Sequence, residues 1–310
     1  MRIVTQSAFG EPSVLRVTEV DRPEPGPGQV LIKVEAAGYN PVDSAVRAGA
    51  FPLLGEPPFT VGWDVSGVVE TAGPGVSAFS PGDEVLGLVG FPAAGNAYAD
   101  YVLASPDELV RRPAGLTAEE AAGLPLAGLT AWQALVGIAR VKEGDRVLVH
   151  RAAGGVGHLA VQIAKARGAH VAGTARAAKH EFLRGLGADH PIDYTAEDFV
   201  TSAGPVDVVL DLLGGEHAER SAAALRPDGL LIAAIGGNPG ITAQRAAELG
   251  IRLQVVSVRP SARDLTELVS LVEAGRLRVH VDQIVPLAEA AKAHELGQTG
   301  RTTGKIVLVP

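Results

Sequence analysis

Gly144–Lys165, GDRVLVHRAAGGVGHLAVQIAK, reads as a strand, a glycine turn and a helix in direct succession. Arg146–His150 is a short valine-rich run of the kind a parallel sheet buries on both faces. Ala152, Ala153, Gly154, Gly155, Val156 and Gly157 follow, a stretch so poor in side chain that its backbone can come close to a pyrophosphate. Leu159, Val161, Ile163 and Ala164 continue as a helix, whose free N-terminal amides and dipole favour a bound phosphate. A glycine turn can also serve only to pack a helix on a strand. Here the strand before it and the helix after it favour a dinucleotide site.

The rest of the chain is compatible with that reading. Its 310 residues are ample for two domains, and 46% hydrophobic content supports full cores. No run is long enough to span a bilayer, and Met1–Gly10 does not read as a signal peptide, so a cytoplasmic protein with no membrane partner is expected. A net charge of −8 argues against nucleic acid as a partner. With no cysteine, disulfides, thiolate nucleophiles and cysteine zinc sites are excluded. Up to about Pro125 the chain reads as mostly β, with Val30–Ala36, Val65–Glu70, Glu84–Val89 and Tyr98–Val102 as strands. From Leu126 to Pro260 strands alternate with helices, Arg146–His150, His170–Thr174, Val206–Leu210, Leu230–Ile235 and Leu253–Val258 being the core strands of a doubly wound sheet. The tail holds helices at Ala262–Glu273 and Leu287–Leu296 and strands at Gln283–Val285 and Lys305–Val309.

Gly144-Asp145, Leu148, Ala152-Ala153-Gly154-Gly155, Gly157, Gln162 and Lys165 fit the spacing of the quinone oxidoreductase and zeta-crystallin family, the zinc-free branch of the medium-chain dehydrogenases. The chain resembles that family over essentially its full length. Arg151 is a departure, since many members have glycine there. The resemblance implies a two-domain α/β protein: a GroES-like, β-rich partial barrel from residues 1–125 and 261–310, and a Rossmann NADP-binding domain from residues 126–260.

An NAD-specific Rossmann domain has an acid about 20 positions after the glycines, accepting from the ribose 2′-hydroxyl. Here the second strand ends Gly173-Thr174-Ala175-Arg176-Ala177-Ala178-Lys179, with no acid before Glu181. Arg176 and Lys179 would attract a 2′-phosphate where a carboxylate would repel it, which points to NADP(H). A solvated basic turn is the structural alternative. The resemblance adds Tyr194 beside the same phosphate, Thr130 at the nicotinamide amide, and Ala153–Gly157 and Thr174 along the cofactor. It also brings in Leu213, Ile235 and Gly236 at the ends of the fourth and fifth strands, where such sheets hold ligands. Thr130 can equally be a helix cap. Lys305, in the family ending Thr302-Thr303-Gly304-Lys305, reads chiefly as structural and secondarily as a cofactor contact.

Zinc alcohol dehydrogenases need cysteine, histidine and glutamate ligands in the first domain. The first histidine here is His150, and Gly62-Trp63-Asp64 stands where zinc relatives carry Gly-His-Glu. No metal site is therefore expected. Without a Lewis acid to stabilise an alkoxide, quinones and α,β-unsaturated carbonyls are the natural substrates. The resemblance makes Asn40 the candidate donor to the carbonyl oxygen or nicotinamide. Asp43 and Arg47, four apart, read as a helical ion pair, and Phe51, Trp63 and Phe91 as a pocket floor or simply core. The expected activity is NADPH-dependent reduction of a conjugated carbonyl or quinone. An enoyl-thioester reductase and a non-catalytic, crystallin-like NADPH-binding protein are the alternatives. Relatives pair the last strand of their nucleotide sheets about a two-fold axis, so a homodimer through Leu253–Val258 is expected.

Overall fold

The computed structural model describes residues 1–234 and 238–310. The chain forms two compact units. One comprises Met1–Leu129, Arg259–Glu273 and Val279–Pro310; the other comprises Thr130–Val258 and Ala274–Arg278.

The first unit opens with β1 (Arg2–Thr5) antiparallel to β2 (Arg16–Glu19), then β3 (Val30–Gly38), α1 (Pro41–Arg47), β4 (Asp64–Ala72), β5 (Glu84–Leu88), β6 (Tyr101–Ala104), β7 (Leu109–Arg111) and α2 (Ala118–Ala122); α3 (Pro125–Trp132) begins in it, and its last three residues belong to the second unit. β3 runs two residues past its expected end because Ala37 and Gly38 pair on one side with β4 and on the other with Leu308 and Val307 of the chain's last strand. At Gly38 the backbone lies so close to α2 that a Cβ would fall 2.3 Å from the Ala122 carbonyl oxygen. The strand expected from Tyr98 begins only at Tyr101. Residues 97–99 bond elsewhere: Ala97 N–H to Gly62 O, Tyr98 N–H to Val61 O, and Tyr98 O to Val4 N–H.

The second unit holds six parallel strands: β8 (Arg146–Val149), β9 (His170–Ala175), β10 (His190–Asp193), β11 (Val206–Asp211), β12 (Leu225–Ala233) and β13 (Arg252–Val255). α4 (Gly155–Ala166), α5 (His180–Gly185), α6 (Phe199–Ala203), α7 (Ala218–Ala223) and α8 (Ala243–Glu248) lie between them in sequence. The order is β10-β9-β8-β11-β12-β13. Counted from β8 this is the 3-2-1-4-5-6 arrangement of dinucleotide-binding sheets, whose strand order reverses beside the first strand. Ile192, Val209, Leu231 and Leu148 bury one continuous core. β13 is an edge strand and stops at Val255, short of the expected Val258.

The chain then returns to the first unit with α9 (Ala262–Glu273), β14 (Val281–Pro286), α10 (Ala290–Gln298) and β15 (Lys305–Val309). Its sheet runs β14-β15-β3-β4-β5-β7, with β6 on β3. The last strand of the sequence is thereby placed against the first long one, and Val307 pairs with Gly38.

Candidate active site

At the carboxyl end of β8 the chain makes the expected turn into α4. Gly154 is the N-cap of α4 and offers no side chain, so the amides of the first turn have no side-chain acceptor. That is the condition in which a helix start accepts an anion. Gly157 is required by close approach, because a Cβ there would lie 2.3 Å from the Arg151 carbonyl oxygen. Arg151 itself is left-handed, at φ +48°, a conformation that costs a non-glycine residue about 1–2 kcal/mol.

A directed chain of hydrogen bonds fixes this turn. Ser221 Oγ–H donates to the His217 carbonyl at 3.0 Å, so Ser221 accepts from His150 Nε2–H at 3.1 Å. His150 Nδ1 is then bare and accepts from the Thr174 hydroxyl at 3.1 Å. Thr174 Oγ1 in turn accepts the Arg151 N–H at 3.2 Å, and Thr174 O accepts the Ala152 N–H at 3.0 Å. Burial pushes His150 down to about 4, so the ring is neutral at neutral pH, as this bonding requires. Its face meets the Phe199 ring edge-on at 4.8 Å between centroids. In sequence His150 registered only as a histidine too deep in the nucleotide strand to ligate zinc.

The end of β9 carries the expected cations. Arg176 is exposed, and its Nε–H donates to the Tyr194 hydroxyl at 3.3 Å, which holds its pKa above the ordinary value. Tyr194 is 51% exposed, so neither group is tucked away as core. Lys179 closes the short turn leading into α5. Asp193, which bears on Arg176 electrostatically, accepts the Thr195 amide and hydroxyl and the Ala177 amide. Leu213 is exposed at the end of β11, its amide held by Asp211 Oδ1 at 2.8 Å. Ile235 and Gly236 lie outside the described residues. Thr130 is buried in the interior of α3, so it is not a helix cap.

In the first unit the sequence-derived candidates turn inward. Asn40 is 2% exposed: Nδ2 donates to Asp64 Oδ2 at 2.9 Å, and Oδ1 accepts from Lys305 Nζ at 2.5 Å. Both ends of the amide thus have a partner within the unit, and Nδ2 carries a second hydrogen beyond the one given to Asp64. Lys305 is 3% exposed and surrounds its ammonium with Asn40 and, at 3.4 Å, Asp64. Lys305 is accordingly a structural cation here and not a surface contact for a cofactor. Asp64 is fully buried, and its Oδ1 accepts the Leu126 amide at 2.7 Å. Burial drives the Asp64 carboxyl upward against Lys305, Asn40 and Leu126, which favour the charged form.

Asp43 and Arg47 both lie on α1, but no ion pair joins them. Asp43 Oδ2 accepts the Asn40 amide at 2.6 Å, closing a capping box, and the Tyr98 hydroxyl at 3.3 Å. Burial pushes Asp43 up to about 7. Arg47 is 1% exposed, with Nε and Nη1 lacking a partner. His294, between the Tyr39 and Tyr98 rings, meets Ser44 Oγ at 3.1 Å and is driven down to about 3 by burial and by Arg47. Trp63 is fully buried, with its indole N–H on Ala93 O. Phe91 stacks edge-on against Trp63 at 5.5 Å, and Phe51 joins neither ring. Asp64 was missed; its one signal was a carboxylate inside Val61–Val69, a run otherwise without a charge.

Comparison with known proteins agrees with this architecture. Residues 26–114 match the alcohol dehydrogenase GroES-like domain, and residues 186–308 match a model described as zinc-binding dehydrogenase. A 2-haloacrylate reductase from Burkholderia sp is 38% identical over 94% of this chain and 94% of its own. The solved quinone oxidoreductase of Coxiella burnetii is 40% identical, covers 100% of this chain and 99% of its own, and superposes with a TM-score of 0.92. The Escherichia coli quinone oxidoreductase, solved in complex with NADPH, is 30% identical with full coverage of both chains and a TM-score of 0.91. A GroES-like unit, a dinucleotide-type sheet and identity of this order along nearly the whole length place the chain in the quinone oxidoreductase family of the medium-chain dehydrogenases/reductases, an oxidoreductase family.

Proposed function

We propose that the protein reduces quinones or α,β-unsaturated carbonyls with NADPH and without zinc. The observation that carries the reading is the Arg176–Tyr194 pair at the carboxyl ends of β9 and β10, where an NAD-specific sheet would present an acid. The uncapped α4 N-terminus, the close-packed Gly157 and the exposed Arg176 fit a dinucleotide bearing a 2′-phosphate. When bound, NADPH supplies the hydride. The chain's own part is to hold the pyrophosphate on the amides of α4, to draw the 2′-phosphate with Arg176 and Lys179, and to orient the nicotinamide amide through Thr130.

The donor set supports chemistry without a Lewis acid. Asp64 gives both oxygens to Asn40, Lys305 and Leu126, and among the described residues no three His, Asp or Glu side chains gather as a metal site would require. A simple ketone would have to form a localised alkoxide, whereas a conjugated acceptor spreads the charge. The Burkholderia relative reduces a 2-haloacrylate by its name and the Coxiella neighbour a quinone by its own, both conjugated acceptors. A homodimer through the β13 edge and a cytoplasmic location belong to the same proposal. In a turnover screen we expect short enones and quinones to consume NADPH after exhaustive chelation, and simple alcohols and ketones to be inert. Deuterium from 4-deuterated NADPH is expected on the β-carbon of an enone product. Finding it on the carbinol carbon with the double bond intact would overturn the reading.

A further inference from the structure

We propose that Arg151 is a third cation reading the 2′-phosphate of the cofactor, placed there by the Thr174 clamp. The inference rests on the NADPH reading above. Arg151 stands two residues past the end of β8 and takes a left-handed conformation that glycine adopts freely. Its amide and that of Ala152 are pinned to Thr174 Oγ1 and O at 3.2 and 3.0 Å, so its backbone is tied to β9 two residues before Arg176. Thr174 is itself held by the neutral, buried His150, so the tie is rigid.

The Arg151 side chain is exposed, and its guanidinium has no hydrogen-bond or ion-pair partner among the described residues. A long cation is thus kept where the backbone favours glycine, with no structural contact to account for it. The end of the second strand is where a Rossmann sheet discriminates the ribose 2′ substituent. Arg151 stands just past the first strand and Arg176 just past the second, and those two strands are neighbours in the sheet. The phosphate is then approached from two sides, the arrangement that forked guanidinium donors suit. A pyrophosphate contact is the competing role, and the two separate by ligand.

The test is equilibrium binding by titration calorimetry of NADPH, NADH, 2′,5′-ADP and 5′-AMP to the wild-type chain and to the R151G and R151K variants. R151G is expected to raise the dissociation constants of NADPH and 2′,5′-ADP by about tenfold, leaving NADH and 5′-AMP within about twofold. R151K is expected to fall between, because a point charge replaces a fork. The salt dependence of NADPH binding should be shallower in R151G than in wild type. Equal losses for ligands with and without the 2′-phosphate, or no loss for any of them, would overturn the role. If R151G fails to fold by circular dichroism, R151K decides between the same outcomes. Failure of the NADPH reading looks different: wild type would then show no preference for 2′,5′-ADP over 5′-AMP.

Discussion

Asp43 and Asp64 show what burial does to carboxylates that differ in partners. Asp43 has one oxygen without a partner, and burial, helped by the neighbouring Asp64, raises it to about 7 against the Asn40 amide, Lys305 and the Tyr98 hydroxyl. An unfolded aspartate titrates near 3.9. Between about pH 4 and about pH 7, then, the folded state holds a proton that the unfolded state has released. Stability from Asp43 is complete below that window and is lost as pH rises through it. Asp43→Asn can still accept the Asn40 amide but does not titrate. Thermal unfolding of both forms from pH 5 to pH 8 should therefore shift progressively in the variant's favour, and parallel curves would refute the assignment. Lys305 presents the opposite case, a buried cation facing Asp64 and Asn40. Lys305→Met leaves the Asp64 carboxylate uncompensated and should cost about 3–5 kcal/mol in urea unfolding. Adding Asp64→Asn should recover much of that loss, and an additive double variant would show the two do not act as a pair.

Among the elements, β8, its turn and α4 act as one piece because the Ser221–His150–Thr174–Arg151 hydrogen-bond chain ties them to β9 and α7. The uncapped amides at the start of α4 are thus in place before any ligand arrives. The basic end of β9 belongs to the same assembly. Changing Arg176 and Lys179 together to Ala should weaken NADPH by about tenfold or more while NADH changes little. Comparable loss of both cofactors in a fluorescence titration would reject a 2′-phosphate role for the pair. The edge element β13 makes a different prediction. Val255 is 49% exposed on a strand whose outer backbone groups face no further strand of its sheet. Edges of this kind invite pairing. In a two-fold assembly a charge placed there meets its own copy. Sedimentation at micromolar concentration should show a dimer for the wild type and a monomer for Val255→Lys; a monomeric wild type would sink the proposal.

At the scale of the whole chain, the legible and the illegible parts divide by distance along the sequence. The strand, turn and helix of residues 146–166 lie within one contiguous stretch, where side-chain periodicity and the steric demands of glycine act over a few residues. The parallel strands behind it, Ala262–Glu273 as a helix and Lys305–Val309 as a strand were readable for the same reason. The cations at the end of β9 were readable too, because their place is counted directly from the turn. Asn40, Asp64 and Lys305 were not, since Lys305 lies 265 positions from Asn40 and 241 from Asp64. Local reading offered Asn40 as a donor, Lys305 as chiefly structural and Asp43 with Arg47 as an ion pair, and it named no partner for Lys305. The sheet order β15-β3-β4 supplies one by bringing the three chain segments together inside one apolar interior. There a charge cannot face water and must find its counter-charge, and which partner it finds depends on strand order, not on neighbours in sequence. A dinucleotide-type sheet is a matter of local pattern, whereas the buried Lys305–Asn40–Asp64 network exists only because the last strand closes against the first long one.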